Sequence, residues 1–68
     1  MRLSARNVFK GKVVDAMAGP IMAKVRVDIG SGNIVTAIVT ADAMSALGVN
    51  IGDEISVVIK ATEVMLAT

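Results

Sequence analysis

The sequence contains no cysteine and no histidine, and these two absences exclude several classes of protein. A disulfide framework cannot form, and the lack of cysteine is typical of a reducing compartment. Without histidine the chain lacks the commonest metal ligand and the usual general base. The six acidic residues are scattered, without the spacing of a calcium or magnesium loop. We therefore expect neither an enzyme nor a site for a bare metal cation.

Aromatic residues are almost absent as well, since Phe9 is the only one. Proteins that bind single-stranded nucleic acid stack bases on aromatic side chains and line the groove with many cations. This chain carries a net charge of only +1, so we do not expect nucleic acid as a partner. The longest uncharged run, residues 29–41, is shorter than the roughly 20 apolar residues that cross a membrane. We expect a cytoplasmic protein that does not contact membranes.

What the chain does have is an excess of aliphatic residues. Apolar residues make up 54% of its 68 positions, and the mean hydropathy is +0.72. A chain of this size buries only roughly 60% of its unfolded surface, so its own core cannot hide them all. Small domains usually gain additional stability from disulfides, bound metals or association of subunits. Disulfides and histidine-bound metals are excluded here, which leaves association of subunits. We predict a homo-oligomer that buries apolar surface between its copies.

Alternating and turn-forming residues predict the order of the elements. Residues 3–15 form a long strand in which Gly11 marks a bend or bulge. Residues 22–40 form a hairpin with its turn at residues 30–33, and residues 41–47 form a short helix that ends at Gly48. Further strands follow at residues 54–60 and 63–67.

This order predicts a mainly β protein: a small five-stranded OB-like Greek-key barrel with one short helix. We expect one domain over residues 1–68. An open sheet closed by a symmetry mate is the alternative architecture.

The charges are unevenly distributed along the chain. Four of the seven basic residues lie within the first twelve positions, and every acidic residue lies at Asp15 or later. The first twelve residues therefore carry +4 and the remainder −3. Lys60 is the only cation among the last forty residues. Such polarity favours a small anion as ligand.

A tetrahedral dianion needs hydrogen-bond donors from several directions together with positive charge. The hydroxyls of Ser4 and Thr40, the cations Arg6 and Lys60, and main-chain N–H groups would supply both. Each of these residues also has a purely structural explanation. An OB-type structural oligomerisation module, or a nucleic-acid-binding module without a small ligand, therefore stays open as the alternative function.

Six short motifs follow one another along nearly the whole chain: residues 4–7 (SARN), 9–11 (FKG), 36–40 (TAIVT), 47–48 (LG), 52–54 (GDE) and 58–65 (VIKATEVM). In this order and spacing they resemble the molbindins, stand-alone molybdate-binding domains called Mop domains. The resemblance implies an OB-like barrel that assembles as a hexamer, a trimer of dimers. It also implies binding of molybdate or tungstate between subunits, without an organic cofactor, for intracellular molybdenum storage and homeostasis.

The same resemblance implies roles for individual residues. Ser4, Ala5 and Arg6 of one subunit would face Lys60 and Ala61 of a neighbour around one oxyanion, and Thr40 would add a hydroxyl or amide donor. Asn7 would hold the segment in place. The chain departs from the family at Ala43, where many relatives have serine, and some relatives have serine in place of Ala61. The shell around the anion would therefore contain fewer hydroxyl donors.

Overall fold

One antiparallel sheet is built from four strands, β1 (Asn7–Ala18), β2 (Met22–Asp28), β3 (Ile34–Thr40) and β4 (Glu54–Ile59), in the order β3-β2-β1-β4. The computed structural model describes residues 6–68. A helix, α1 (Ala41–Leu47), lies between β3 and β4 in the chain, and a 3₁₀ turn (Ala61–Glu63) follows β4. The sheet curls into a half-barrel. The fold is mainly β with one short helix, as predicted.

The long first strand belongs to two pairings at once. Its first half pairs with β4 and its second half with β2, and Lys12 lies opposite both Glu54 and Asp28. The register shifts between Val13 and Asp15, so the bulge lies at Val14 and the prediction of a bulge at Gly11 was wrong. The strand also continues beyond the predicted end at Asp15, because its second half pairs with β2 as far as Ala18.

Gly11 serves a different purpose, which is close packing of β1 against β2. A Cβ atom at this position would lie 2.5 Å from Cγ1 of Val27 and 2.7 Å from the carbonyl oxygen of Asp28. Both distances are well inside van der Waals contact, and one of the two atoms belongs to the backbone. The glycine therefore lets β1 and β2 pack closely at this point.

The hairpin of β2 and β3 was predicted correctly. Gly30, Ser31 and Gly32 all have positive φ angles, of 109°, 54° and 78°. The Asp28 carboxylate accepts a hydrogen bond from the N–H of Gly30 at 2.8 Å. These residues therefore form a tight turn between two strands and not a phosphate-binding loop, which would lead into a helix.

The core lies on the inner face of the sheet. Its buried residues are small and aliphatic: Val13, Ala23, Val25, Val27 and Val49. On β2 the buried residues alternate with the exposed Lys24 and Arg26, as the sequence predicts. On β3 only one face is half-buried, and Ile34 and Ile38 on the other face are exposed. One chain alone therefore does not cover the second apolar face of β3.

The short helix has well-defined ends. The Oγ1 atom of Thr40 accepts a hydrogen bond from the N–H of Ala43 at 3.0 Å, so Thr40 is the N-cap. Gly48 ends the helix in the left-handed conformation, with φ of 64°. Met44 packs against the core, whereas Leu47 is 70% exposed.

The predicted fifth strand, residues 63–67, does not form. Ala61–Glu63 is a 3₁₀ turn, and residues 64–68 have no strand assignment. Met65 and Leu66 are 92% and 94% exposed. This segment has the composition of a strand, but it lies against no strand of its own chain, and a strand without a ladder partner is not stable. Within residues 6–68 the sheet therefore has four strands instead of five.

Candidate anion-binding site

The pairing of β1 with β4 brings two of the predicted site residues together. Its register runs from Lys12 opposite Glu54 to Asn7 opposite Ile59. Arg6 and Lys60 each lie one residue beyond that last pair, on adjacent segments, and both are exposed. Residues that are 54 positions apart in the sequence thus meet at one end of the sheet.

Asn7 fixes this end of the sheet through its side chain. Its Nδ2 atom donates a hydrogen bond to the carbonyl oxygen of Ile59 at 3.1 Å, in a partly buried position. The bond joins the first residue of β1 to the residue that precedes Lys60. It matches the holding role expected of Asn7.

Two further cations lie on the same strand, and the search for site residues in the sequence did not include them. Lys10 and Lys12 are exposed on β1 and lie opposite Ser56 and Glu54 of β4. They alternate with Gly11, so they share one face of the strand, and Arg6 continues that alternation. The two-residue spacing of these cations is the signal that would have identified them.

We call this set of residues the cationic strip: Arg6, Lys10, Lys12 and Lys60. The only acidic residue that faces the strip from β4 is Glu54. Three of the four cations that the sequence places in its first twelve residues therefore lie on one surface, beside Lys60. Such a surface attracts anions, and salt weakens the attraction.

Of the other predicted site residues, one lies beside Lys60 and two lie outside the part of the chain that the structure describes. Ala61 begins the 3₁₀ turn directly after Lys60 and offers only main-chain groups. Ser4 and Ala5 lie outside the described residues. The Arg6–Lys60 end thus includes three of the six predicted residues in one chain, whereas the resemblance implied that Arg6 would face Lys60 and Ala61 of a neighbouring subunit.

Thr40 lies far from that end. It pairs with Met22, next to the pair formed by Ala18 and Ala23 at the last residue of β1. The length of the twelve-residue β1 therefore separates Thr40 from Arg6. Its Oγ1 atom accepts the capping bond from Ala43, so its hydroxyl proton remains able to donate to another group.

An open cleft of about 740 Å³ lies beside the cationic strip, where β1 passes between its two partners. Its walls carry positive charge from Lys10 and Lys12 and negative charge from Asp28 and Glu54. None of the predicted site residues that the structure describes lines it. Within residues 6–68 there is also no group of three or more histidine, cysteine or acidic residues able to hold a metal ion.

The described part of the chain has no helix long and apolar enough to span a membrane.

Comparison with known proteins agrees with the fold and the motifs. The family model of the TOBE domain matches residues 3–66. This chain belongs to the TOBE-domain family. Within the family it is of the molbindin type, because it is 47% identical over 66 residues to molybdenum-pterin-binding protein 1 of Clostridium pasteurianum, with 97% of each chain covered. The resemblance found in the sequence is therefore confirmed.

Solved structures of the molbindin type superpose closely on this chain. A molybdate-binding protein from Sporomusa ovata has a TM-score of 0.93 at 31% identity, with both chains covered completely. The cytoplasmic molybdate-binding protein ModG, with molybdate bound, has a TM-score of 0.85 at 39% identity. That match covers 90% of this chain and 43% of ModG. The OB-like molbindin architecture is thereby established.

Proposed function

We propose that this TOBE-domain protein binds molybdate, or the isosteric tungstate, reversibly at the end of the sheet where Arg6 and Lys60 meet. The observation that carries the proposal is the register of β1 and β4, which places these two cations side by side in the cationic strip. Molbindin-type relatives that bind molybdate support the choice of anion.

The chemistry of the residues fits a tetrahedral dianion. Two cations balance its charge, and charge-assisted hydrogen bonds are the strong ones in proteins. Ser4 would donate its hydroxyl, while Ala5, Arg6 and Ala61 would donate main-chain N–H groups. Sulfate has the same charge and shape but shorter bonds, so the size of the shell would decide the selectivity.

Thr40 joins this shell only if it comes from another subunit, because the length of β1 separates it from Arg6 in its own chain. A site shared between copies also agrees with the open position of Lys60, which is exposed in one chain. We propose a hexamer, a trimer of dimers, with the anion held between subunits. Binding of the anion would then stabilise the assembly by linkage.

The proposed role is storage and homeostasis of molybdenum in the cytoplasm, without catalysis. The binding groups are hydroxyls, amides and cations, and the chain has no histidine or cysteine that would act on a bound substrate. We propose the free oxyanion as the ligand, with no organic cofactor, although several relatives are named after a molybdenum-pterin.

Calorimetric titration tests the proposal directly. Molybdate and tungstate should bind with similar affinity, whereas sulfate and a pterin without molybdenum should release no heat. Higher salt should weaken molybdate binding, because part of the affinity comes from the cationic strip. Absence of binding by both oxyanions, with the protein folded, would contradict the proposal.

A further inference from the structure

The cationic strip carries its charges in a fixed order along β1. At one end Arg6 and Lys60 lie beside each other. The next pair on the same face, Val8 opposite Val58, is uncharged, and Lys10 follows it two residues further along. Lys10 is therefore four residues from Arg6, which is about 13 Å at the rise of an antiparallel strand. An anion held beside Arg6 experiences the charge of Lys10 without a hydrogen bond to it.

Within residues 6–68, neither strand pairing places an acidic residue opposite Lys10. On β4 its partner is Ser56, which is neutral. On the other side of β1 the pairing with β2 begins only at Lys12, so no residue of β2 lies opposite Lys10. The lysine is also exposed. Its positive charge is therefore not compensated by a residue that is paired with it.

The acidic residues of this surface lie one step further along β1. Lys12 lies between two of them, because Glu54 is opposite it on β4 and Asp28 is opposite it on β2. Both carboxylates also line the open cleft beside the strip. This row has one cation against two carboxylates, or −1, whereas the end at Arg6 and Lys60 has two cations. The charge along the strip therefore changes from positive to negative with increasing distance from Arg6.

A surface with graded charge of this kind directs a diffusing anion. The row that contains Lys12 repels a dianion, Lys10 attracts it, and from there the field favours the end at Arg6 and Lys60. Charges at a distance change the association rate of a ligand and the salt dependence of that rate, whereas contacts within a site change the dissociation rate. The position of Lys10 is therefore suited to affect association.

We propose that Lys10 is a steering residue, whose charge speeds the capture of molybdate or tungstate without contacting the bound anion. The change of charge from Glu54 to Lys10 to Arg6 gives the anion a preferred direction of approach. The proposal rests on the proposed function, because it needs an oxyanion site at Arg6 and Lys60. The open cleft is not itself an oxyanion site, because its two carboxylates repel a dianion.

The first experiment compares the unmodified protein with Lys10→Glu, using radioactive molybdate at ionic strengths of about 0.01 M and about 0.15 M. Equilibrium dialysis gives Kd, a chase of the bound label with unlabelled molybdate gives koff, and their ratio gives kon. At the lower ionic strength kon should fall about fourfold with koff unchanged, because one charge about 13 Å from a dianion is reversed. At the higher ionic strength screening should reduce this fall to about 1.5-fold.

A charge exchange separates the position of the charge from the net charge. The double variant Lys10→Glu, Glu54→Lys keeps the net charge of +1 but reverses the order along the strip. Because Glu54 is about 20 Å from Arg6 along the strands, kon should stay about twofold below that of the unmodified protein.

The control for a charge reversed elsewhere is Lys24→Glu, since Lys24 is exposed and lies opposite Met17, in the second half of β1. Its kon should fall by less than about 1.5-fold even at low ionic strength. Circular dichroism and native mass should be the same for all variants, which shows that fold and assembly are kept.

The outcomes separate the claims. If Lys10→Glu raises koff, the side chain contacts the bound anion and the steering role is refuted. If the double variant regains the full kon of the unmodified protein, net charge alone determines capture and the steering role is again refuted. An unchanged kon for Lys10→Glu at low ionic strength also refutes it, while the proposed function stands because molybdate still binds. If the unmodified protein binds no molybdate, the proposed function fails, and steering of that anion fails with it.

Discussion

The two halves of β1 contribute differently to the core. The half that pairs with β2 contains Val13, which is only 1% exposed and lies in the core. The half that pairs with β4 carries Val8 and Phe9, which are 52% and 40% exposed, and two exposed lysines. We call the half that contributes Val13 to the core the closed half, and the half that contains no buried residue, residues 7–12, the open half.

This difference predicts that one half of β1 determines the stability of the fold and the other half determines anion binding. The closed half contributes Val13 to the core, whereas the predicted site residues Arg6, Lys60 and Ala61 lie at the open half. Substitution of the buried residue in the closed half should therefore destabilise the protein, and substitution of the cations at the open half should change anion binding. Four predictions test this separation, from the largest expected effect to the smallest.

Val13→Ala should destabilise the closed half. Removing two methyl groups from a fully buried site loses about 2–3 kcal/mol, from lost burial and from the cavity that remains. Thermal unfolding at fixed protein concentration measures the loss. Val14→Ala is the matched control, because Val14 is 45% exposed and should lose little. Equal losses at both positions would show that Val13 is not in the core.

Lys60→Ala should weaken the binding of molybdate in the open half. Loss of one charge-assisted bond costs about 1.5–3 kcal/mol, which corresponds to roughly a tenfold to hundredfold higher Kd. Calorimetry measures the change, and the mass of the assembly should stay the same. Lys24→Ala is the control, since Lys24 is equally exposed but lies on β2. An unchanged Kd for the Lys60 variant would remove this residue from the site.

Asn7→Ala should affect both properties moderately. The lost hydrogen bond to the Ile59 carbonyl is partly buried, and its removal costs about 1 kcal/mol. The Kd for molybdate should rise by about fivefold, because Lys60 loses its support. Asn33→Ala, in the exposed hairpin turn, should not change the Kd. A loss of stability with no change in Kd would mean that Asn7 is purely structural.

Thr40→Ala should give the smallest effect, and it acts through the helix. Removing the N-cap of α1 costs about 1 kcal/mol of stability. Thr40→Ser should restore it, because serine keeps the capping oxygen. The control is Thr36→Ala, because Thr36 lies on the same exposed face of β3 but does not cap a helix. If the alanine variant also binds molybdate more weakly and the serine variant does not, the hydroxyl donates to the anion as well.

The local features of the fold were predictable from short-range patterns. Alternation in residues 24–29 predicts which side of β2 is buried, and the residues Gly30 to Gly32 predict the turn. The helix and its end at Gly48 follow from composition and from the glycine. These features depend on neighbouring residues, so one sequence contains enough information to predict them.

The features that depend on distant contacts were predicted less well. The bulge at Val14 instead of Gly11 depends on how β1 changes partners, which no local pattern encodes. Residues 63–67 have strand composition, but a strand also needs a partner, and none lies beside them in their own chain. For the proposed site, the motifs pointed to Arg6 and Lys60, and the register shows that these two residues lie beside each other and that Thr40 lies apart from them.

The most direct test of the central claim is the native mass of the unmodified protein with molybdate, with sulfate and without either anion. We predict a hexamer that gains mass with molybdate and not with sulfate, because the open halves of several chains together form the sites. A monomer that gains no mass with molybdate would contradict both the assembly and the anion site at Arg6 and Lys60.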